Sequence, residues 1–208
     1  PAPKLASDIL SPGAQIWLRP LPQGGYRLSQ IPKVSGSLVA QDPQTGDIKA
    51  LVGGYNFVRN QFNRVTQAKR QIGSNVKPFI YSAALDNQFT LASLINDAPI
   101  NKWDKRLGTA WRPKNSPPTY DGPTRVRRGL AQSKNVVAVR LFREVGIERV
   151  IAHLSSFGFA PDDLPRDESL ALGSAALTPL EIATGMATFA NGGFLVEPFV
   201  IDRIEDSF

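Results

Sequence analysis

The alternation of apolar and polar positions divides the chain into extended stretches near both ends and a helical middle. Two short alternating runs, "QIWLR" and "YRLSQI", flank the turn-forming "PLPQGG" and predict a strand, a loop and a strand within residues 1–34. This is a piece of a small β element rather than a domain. From Ser35 onward "GSLVAQDPQTGDIKALVGGY" sets two apolar runs around "DPQTGD", where proline and glycine supply turn geometry, and predicts a β-hairpin. "VKPFIYSAALDN", "TRVRRGLAQSKNVVAVRLFREVG" and "GIERVIAHLSSFGF" then carry apolar residues at helical spacing, and the last two close on glycines suited to helix C-termini. A fourth helix is predicted in "LTPLEIATGMATFANGG", with Thr178 as N-cap, Pro179 at the first helical position, Glu181 completing a capping box and Gly192-Gly193 beyond the end. "FLVEPFVIDRIED" returns to an extended pattern. The order implies an α+β fold in which one sheet is built from both chain ends.

Composition adds bounds. The chain has 208 residues, 42% of them hydrophobic, enough to build a core. It has no run of 18 apolar residues, and "PAPKLASDIL" lacks the layout of a secretory signal, so any anchor or export segment is expected outside this sequence. The absence of cysteine is compatible with an oxidising compartment and with others. The net charge of +6 includes a cluster in "TRVRRG", Arg125, Arg127 and Arg128, whose ordinary reading is a solvated face; an anionic partner such as nucleic acid, lipid or a cell-wall glycan is the alternative. Basic residues are not interleaved with aromatic ones, which argues against nucleic acid. The one histidine, His153, is expected to pack on a helix, and no metal cluster is visible. Trp103 and Trp111 are expected to pack a long loop, with a groove-lining role as the alternative. Gly173 and Ser174 read as a turn without chemistry.

Candidate chemistry sits in "RQIGSNVKPFIYSAAL". Pro78 lacks an N–H and collides with the carbonyl four residues back, so its helix begins no earlier than about Ser74, and Lys77 then shares a face with Ser74. A serine hydroxyl needs a base, and a lysine serves only when neutral. At an unperturbed pKa of about 10.4, about one lysine in 2,500 is neutral at pH 7. Burial and the helix N-terminus both favour the neutral form. The Ser74 N–H is a candidate oxyanion donor. A serine and a lysine at this spacing also suit an ordinary polar helix start. A second element, "AQSKNVVAVRL", places Ser133 and Asn135 on one side of the chain, with Lys134 turned away. The hydroxyl is suited to proton relay and the carboxamide to holding a peptide amide; a helix-start serine beside an asparagine is the plainer alternative.

S-x-x-K together with S-x-N is the motif set of penicillin-binding proteins and serine β-lactamases. The flanks "FNRVTQAKRQIGSNVKPFIYSAAL", "PKNSPPTYDGPTRVRRGLAQSKNVVAVRL" and "ESLALGSAALTPLEIATGMATFANGG" closely resemble the transpeptidase domain of class A penicillin-binding proteins, the 1A type of Gram-negative bacteria above all. The resemblance covers residues 35–208, the N-terminal and central part of that domain; residues 1–34 resemble the end of an inserted OB-like module or linker. It implies a penicillin-binding/serine β-lactamase-like fold, an antiparallel sheet flanked by helices with a mainly helical subdomain. It also implies D,D-transpeptidation, with Ser74 as the acylated nucleophile, Lys77 as base, Ser133 as proton relay and Asn135 as substrate-binding residue, and without metal or cofactor.

Expected partners are peptidoglycan stem peptides and β-lactams, with outer-membrane lipoprotein activators and the cell-wall synthesis machinery. The expected location is the periplasmic side of the inner membrane, through an anchor outside this sequence. The family's third element, K-T-G or K-S-G, does not occur here, so the sequence is expected to be a fragment completed by a further C-terminal segment. A class A β-lactamase is disfavoured because no glutamate has the asparagine four positions on that such enzymes need. A D,D-carboxypeptidase and a non-catalytic penicillin-sensing or scaffold domain stay open.

Overall fold

Residues 77–86 form a helix whose side chains are buried along most of its length and which lies in the hydrophobic core of the larger unit. The computed structural model of the chain describes residues 3–100, 102–104 and 109–206. It divides into two units, Pro1–Gly36 and Ser37–Phe208. In the first, β1 (Trp17–Pro20) and β2 (Tyr26–Ser29) pair antiparallel, as the alternating runs predict. Every residue of both strands is exposed, so this hairpin builds no core.

The second unit opens with the expected hairpin, β3 (Leu38–Gln41) against β4 (Ile48–Val52). The turn between them is closed by Asp42, whose carboxylate accepts from the N–H groups of Gln44 and Thr45. A short helix α1 (Arg64–Gln67) and strand β5 (Arg70–Gln71) lead to α2 (Lys77–Asp86). Next come β6 (Leu94–Asp97), β7 (Lys102–Asp104), β8 (Thr109–Trp111) and β9 (Gly122–Arg125), with β6 paired to β9 and β7 to β8. The long helical pattern after Thr124 is two helices, α3 (Val126–Ala131) and α4 (Asn135–Val145), broken at Ser133. Helix α5 (Ile147–Ser155), strand β10 (Ala176–Leu177) and α6 (Pro179–Ala190) complete the order.

Helix α2 buries residues on nearly every side, the mark of a central helix. Phe79 meets Phe157 and Phe159 edge-on at 5.0 and 4.9 Å, and α4 covers the other flank with Val136, Val137, Leu141 and Phe142. Thr178 and Glu181 form the expected capping box: the Thr178 hydroxyl accepts from the Glu181 N–H at 3.2 Å and the Glu181 carboxylate accepts from the Thr178 N–H at 2.7 Å. The C-terminal extended segment differs from expectation. Instead of a strand it makes one parallel bridge, Phe199 to Asp47. Phe199 uses both of its backbone groups there, its N–H donating to the Gly46 carbonyl and its carbonyl accepting from the Ile48 N–H.

The turn entering α2 is held by backbone. β5 pairs antiparallel with β10, the Ile72 N–H donates to the Ala175 carbonyl, and the Gly73 N–H donates to the Gly173 carbonyl. Gly173 has φ +80°, and a Cβ there would stand 1.9 Å from the Gly73 carbonyl oxygen. Gly173→Ala is therefore expected to destabilise this unit by at least about 2 kcal/mol, from left-handed strain plus backbone overlap. Thermal unfolding should show a melting point lower by roughly 5 °C; an unchanged melting point would mean that the two turns do not bear on each other.

Candidate active site

Ser74 lies in a 3-10 turn, Gly73–Val76, that runs into α2. In this geometry residues three apart eclipse one another, so Lys77 follows Ser74 on the same side, and the Lys77 N–H donates to the Ser74 carbonyl. Pro78 falls in the first turn of α2, where no N–H is needed. Ser74 is exposed and its N–H stands at the start of the turn, where backbone donors lack an intrahelical acceptor. Lys77 is only 2% exposed.

Opposite α2, the α3–α4 junction presents Ser133. The Lys134 N–H donates to the Gly129 carbonyl and the Ser133 N–H to the Leu130 carbonyl, the pair of bonds that ends a helix in a Schellman motif. Ser133 thus occupies the left-handed position usually given to glycine, with φ +52°. A left-handed serine is disfavoured by about 1–2 kcal/mol, a strain that persists only where the surroundings over-determine it. Its consequence is to aim both the hydroxyl and the carbonyl of Ser133 at α2. The Lys77 Nζ lies 2.9 Å from Ser133 Oγ, 2.6 Å from the Ser133 carbonyl oxygen and 2.6 Å from Asn135 Oδ1. Asn135 is fixed from its other end, its Nδ2 donating to the Lys114 carbonyl at 2.7 Å.

These three acceptors are all neutral, and among the described residues no carboxylate pairs with Lys77. Burial without a counter-charge pushes its pKa down to about 8. About one molecule in ten then holds the neutral amine at pH 7. A neutral amine keeps two N–H donors for the Ser133 carbonyl and Asn135 and turns a lone pair toward a hydroxyl. The arrangement can accept a proton from a serine and pass one on.

Lys134 points the other way, as its position between Ser133 and Asn135 suggests. It pairs with Asp97 at 3.0 Å and Asp121 at 3.1 Å. Asp97 is fully buried and also accepts from Asn115 Nδ2 at 2.7 Å and the Asp121 N–H at 3.1 Å. Burial opposes the Asp97 carboxylate, but the hydrogen bonds from Asn115 and Lys134 outweigh it and hold its pKa below the usual range. Asn115 Oδ1 in turn accepts from the Val136 N–H at 3.1 Å, which locks the start of α4. The sequence pattern around Lys134 does not reveal this network. Its one sequence signal is Asp97, which shares the buried face of β6 with Ile95.

The remaining candidates resolve into packing. His153 Nε2 lies 2.9 Å from Ser82 Oγ, with Asp86 3.8 Å from Nδ1, the order of a Ser-His-Asp triad. Ser82 sits in mid-helix α2, however, where its own N–H is committed to the helix and provides no oxyanion donor. Burial lowers the His153 pKa, with Asp86 opposing. Trp111 packs on the core with Arg143 above its ring at 6.0 Å. The side chain of Trp103 lies outside the described residues. Ser174 accepts from the Ser169 hydroxyl at 2.7 Å, a local turn contact.

Residues 36–208 match the penicillin binding protein transpeptidase domain family. Penicillin-binding protein 1A of Vibrio cholerae is 58% identical over all of this chain and 26% of its own length. Penicillin-binding protein 1A of Escherichia coli is 51% identical over 99% of this chain and 24% of its own length. The crystal structure of penicillin-binding protein 1A from Haemophilus influenzae superposes with a TM-score of 0.84 at 46% identity, over 92% of this chain and 28% of that one. The chain thus spans about a quarter of the length of these curated relatives. Its helices and antiparallel pairings are those of the penicillin-binding fold. On the match across most of its length and the identity to these relatives, the chain belongs to the penicillin-binding protein transpeptidase family.

Proposed function

We propose that this chain carries the serine acyl-enzyme site of a peptidoglycan D,D-transpeptidase. The observation that carries the reading is the convergence of Ser133 and Asn135, from the α3–α4 junction, on a buried lysine one 3-10 turn after Ser74. Ser74 Oγ attacks the carbonyl of a terminal D-Ala-D-Ala bond, and Lys77 receives its proton. Ser133, 2.9 Å from Lys77, relays a proton to the departing D-alanine amine. The Ser74 N–H supports the oxyanion. Asn135 keeps one N–H and one lone pair for a substrate amide after its bonds to Lys114 and Lys77. The acyl group then passes to an amine of a neighbouring stem peptide, and a β-lactam halts the cycle at the acyl stage.

As parts of the same proposal, residues 1–34 end an inserted OB-like module. The protein works at the periplasmic side of the inner membrane with lipoprotein activators and the synthesis machinery. Among the described residues no helix is long and apolar enough to cross a membrane.

The deciding experiment uses the full-length protein and a donor peptide ending in D-Ala-D-Ala, with and without an amine acceptor. Cross-linked product is expected to grow with acceptor while hydrolysed product falls. Hydrolysis insensitive to acceptor would make the site a carboxypeptidase. Penicillin acylation without any donor turnover would make it a sensor or scaffold.

A further inference from the structure

The arginine cluster finds a place that the acyl-enzyme reading leaves unused. A groove of about 700 Å³ follows β9 and α3 and is lined by Arg125, Arg127 and Arg128. A second of about 270 Å³ reaches Ser133, and the two share Asp121, Arg128 and Gln132. Through these shared residues the two adjoin as one channel along α3, with Ser133 among the residues that line its smaller end.

Its charge is unbalanced. Arg128 faces Asp121 at 3.5 Å, but Asp121 is already paired with Lys134. Arg125 and Arg127 are exposed, and among the described residues neither has a carboxylate partner. These guanidiniums occupy the N-cap and first turn of α3, where the backbone dipole disfavours cations. Helix stability does not account for them.

Resting on the acyl-enzyme reading above, we infer that this channel seats the acceptor stem peptide, with free carboxylates of that peptide on Arg125 and Arg127. An incoming amine must lose its proton to Ser133 or Lys77, so the acceptor chain has to pass Ser133. The channel continues from that point. Stem peptides carry free carboxylates along a short flexible chain, and a guanidinium fork pairs with a carboxylate through two parallel bonds. The larger groove has apolar positions at Leu94, Pro123 and Ala131 and no aromatic ring, which suits a peptide better than stacked bases.

The test compares the full-length protein with its Arg125→Gln/Arg127→Gln variant. Benzylpenicillin acylation, which needs no acceptor, serves as the control and is expected to change by less than about twofold. Transfer to an acceptor with free carboxylates is expected to fall about tenfold, the loss of one to two charge-assisted contacts. The same acceptor with its carboxylates amidated should react equally with both proteins, at the lower rate. Binding of the carboxylate acceptor to the penicilloyl-protein, followed by calorimetry, should weaken in parallel and needs no turnover. Equal use and equal binding of the carboxylate acceptor by both proteins would overturn the inference, as would an equal loss with the amidated acceptor. Weaker binding to anionic vesicles or to an oligonucleotide, with transfer unchanged, would overturn it in favour of a lipid or nucleic-acid surface. Absence of penicillin acylation in the unmodified protein would instead strike the acyl-enzyme reading.

Discussion

Ser74→Ala is expected to abolish the covalent benzylpenicillin adduct, with the acylation rate falling by at least about a thousandfold, as when the nucleophile of a serine enzyme is removed. Intact mass of the full-length protein, before and after the drug, reads the result directly. Because Ser74 is exposed at the start of the turn, the substitution should leave stability within about 0.5 kcal/mol, so lost acylation would not report lost folding. Ser82 provides the internal control. It hydrogen-bonds His153 at 2.9 Å and superficially resembles an activated serine, yet Ser82→Ala should acylate normally. An adduct that survives Ser74→Ala would end the assignment. Its position in a peptide map would then name the group that replaces it.

The elements whose cause is local were legible from the residues. Pro78 set the register of α2, and Thr178 with Glu181 set the start of α6, because each rests on bonds within four residues. The break between α3 and α4 was less visible. "LAQSKNVV" contains no glycine, so propensity predicts a continuous helix where the structure puts a left-handed serine. Tertiary contacts decide that point: Lys134 is drawn toward Asp97 and Asp121, while Lys77 holds the carbonyl and hydroxyl of Ser133. Residues far apart in sequence hold the strain, and a pattern reading has no access to them. The same limit applies to the segment after Phe194, whose apolar residues suggest a strand but which makes one bridge, to Asp47, a residue about 150 positions away in sequence.

The spacing of Ser74 and Lys77 puts the two on one face but does not show what else holds the amine. In the structure its Nζ is held by Ser133 and Asn135, with the buried environment bringing the pKa to about 8. From this follows the second large effect. The base must be neutral, and below about 8 the neutral fraction falls tenfold for each pH unit, so acylation should rise about tenfold from pH 6 to 7 and level off above 8. Lys77→Met should lower the rate by about 10²- to 10⁴-fold and flatten this profile. Lys77→Arg should fail comparably although it keeps the charge, because a guanidinium does not give up its proton near neutral pH.

The stability term has the same sign. The folded Lys77 pKa lies below its ordinary 10.5, so between about 8 and 10.5 the unfolded chain binds the extra proton. This group's contribution to stability therefore rises with pH across that window. Deprotonation favours both the fold and the reaction, whereas a lysine kept for its charge alone would be paired, as Lys134 is. Stopped-flow acylation between pH 6 and 9 decides the matter. A rate that is flat or falls with pH in the unmodified protein would remove Lys77 as the base, and the proton of Ser74 would have to leave by another path.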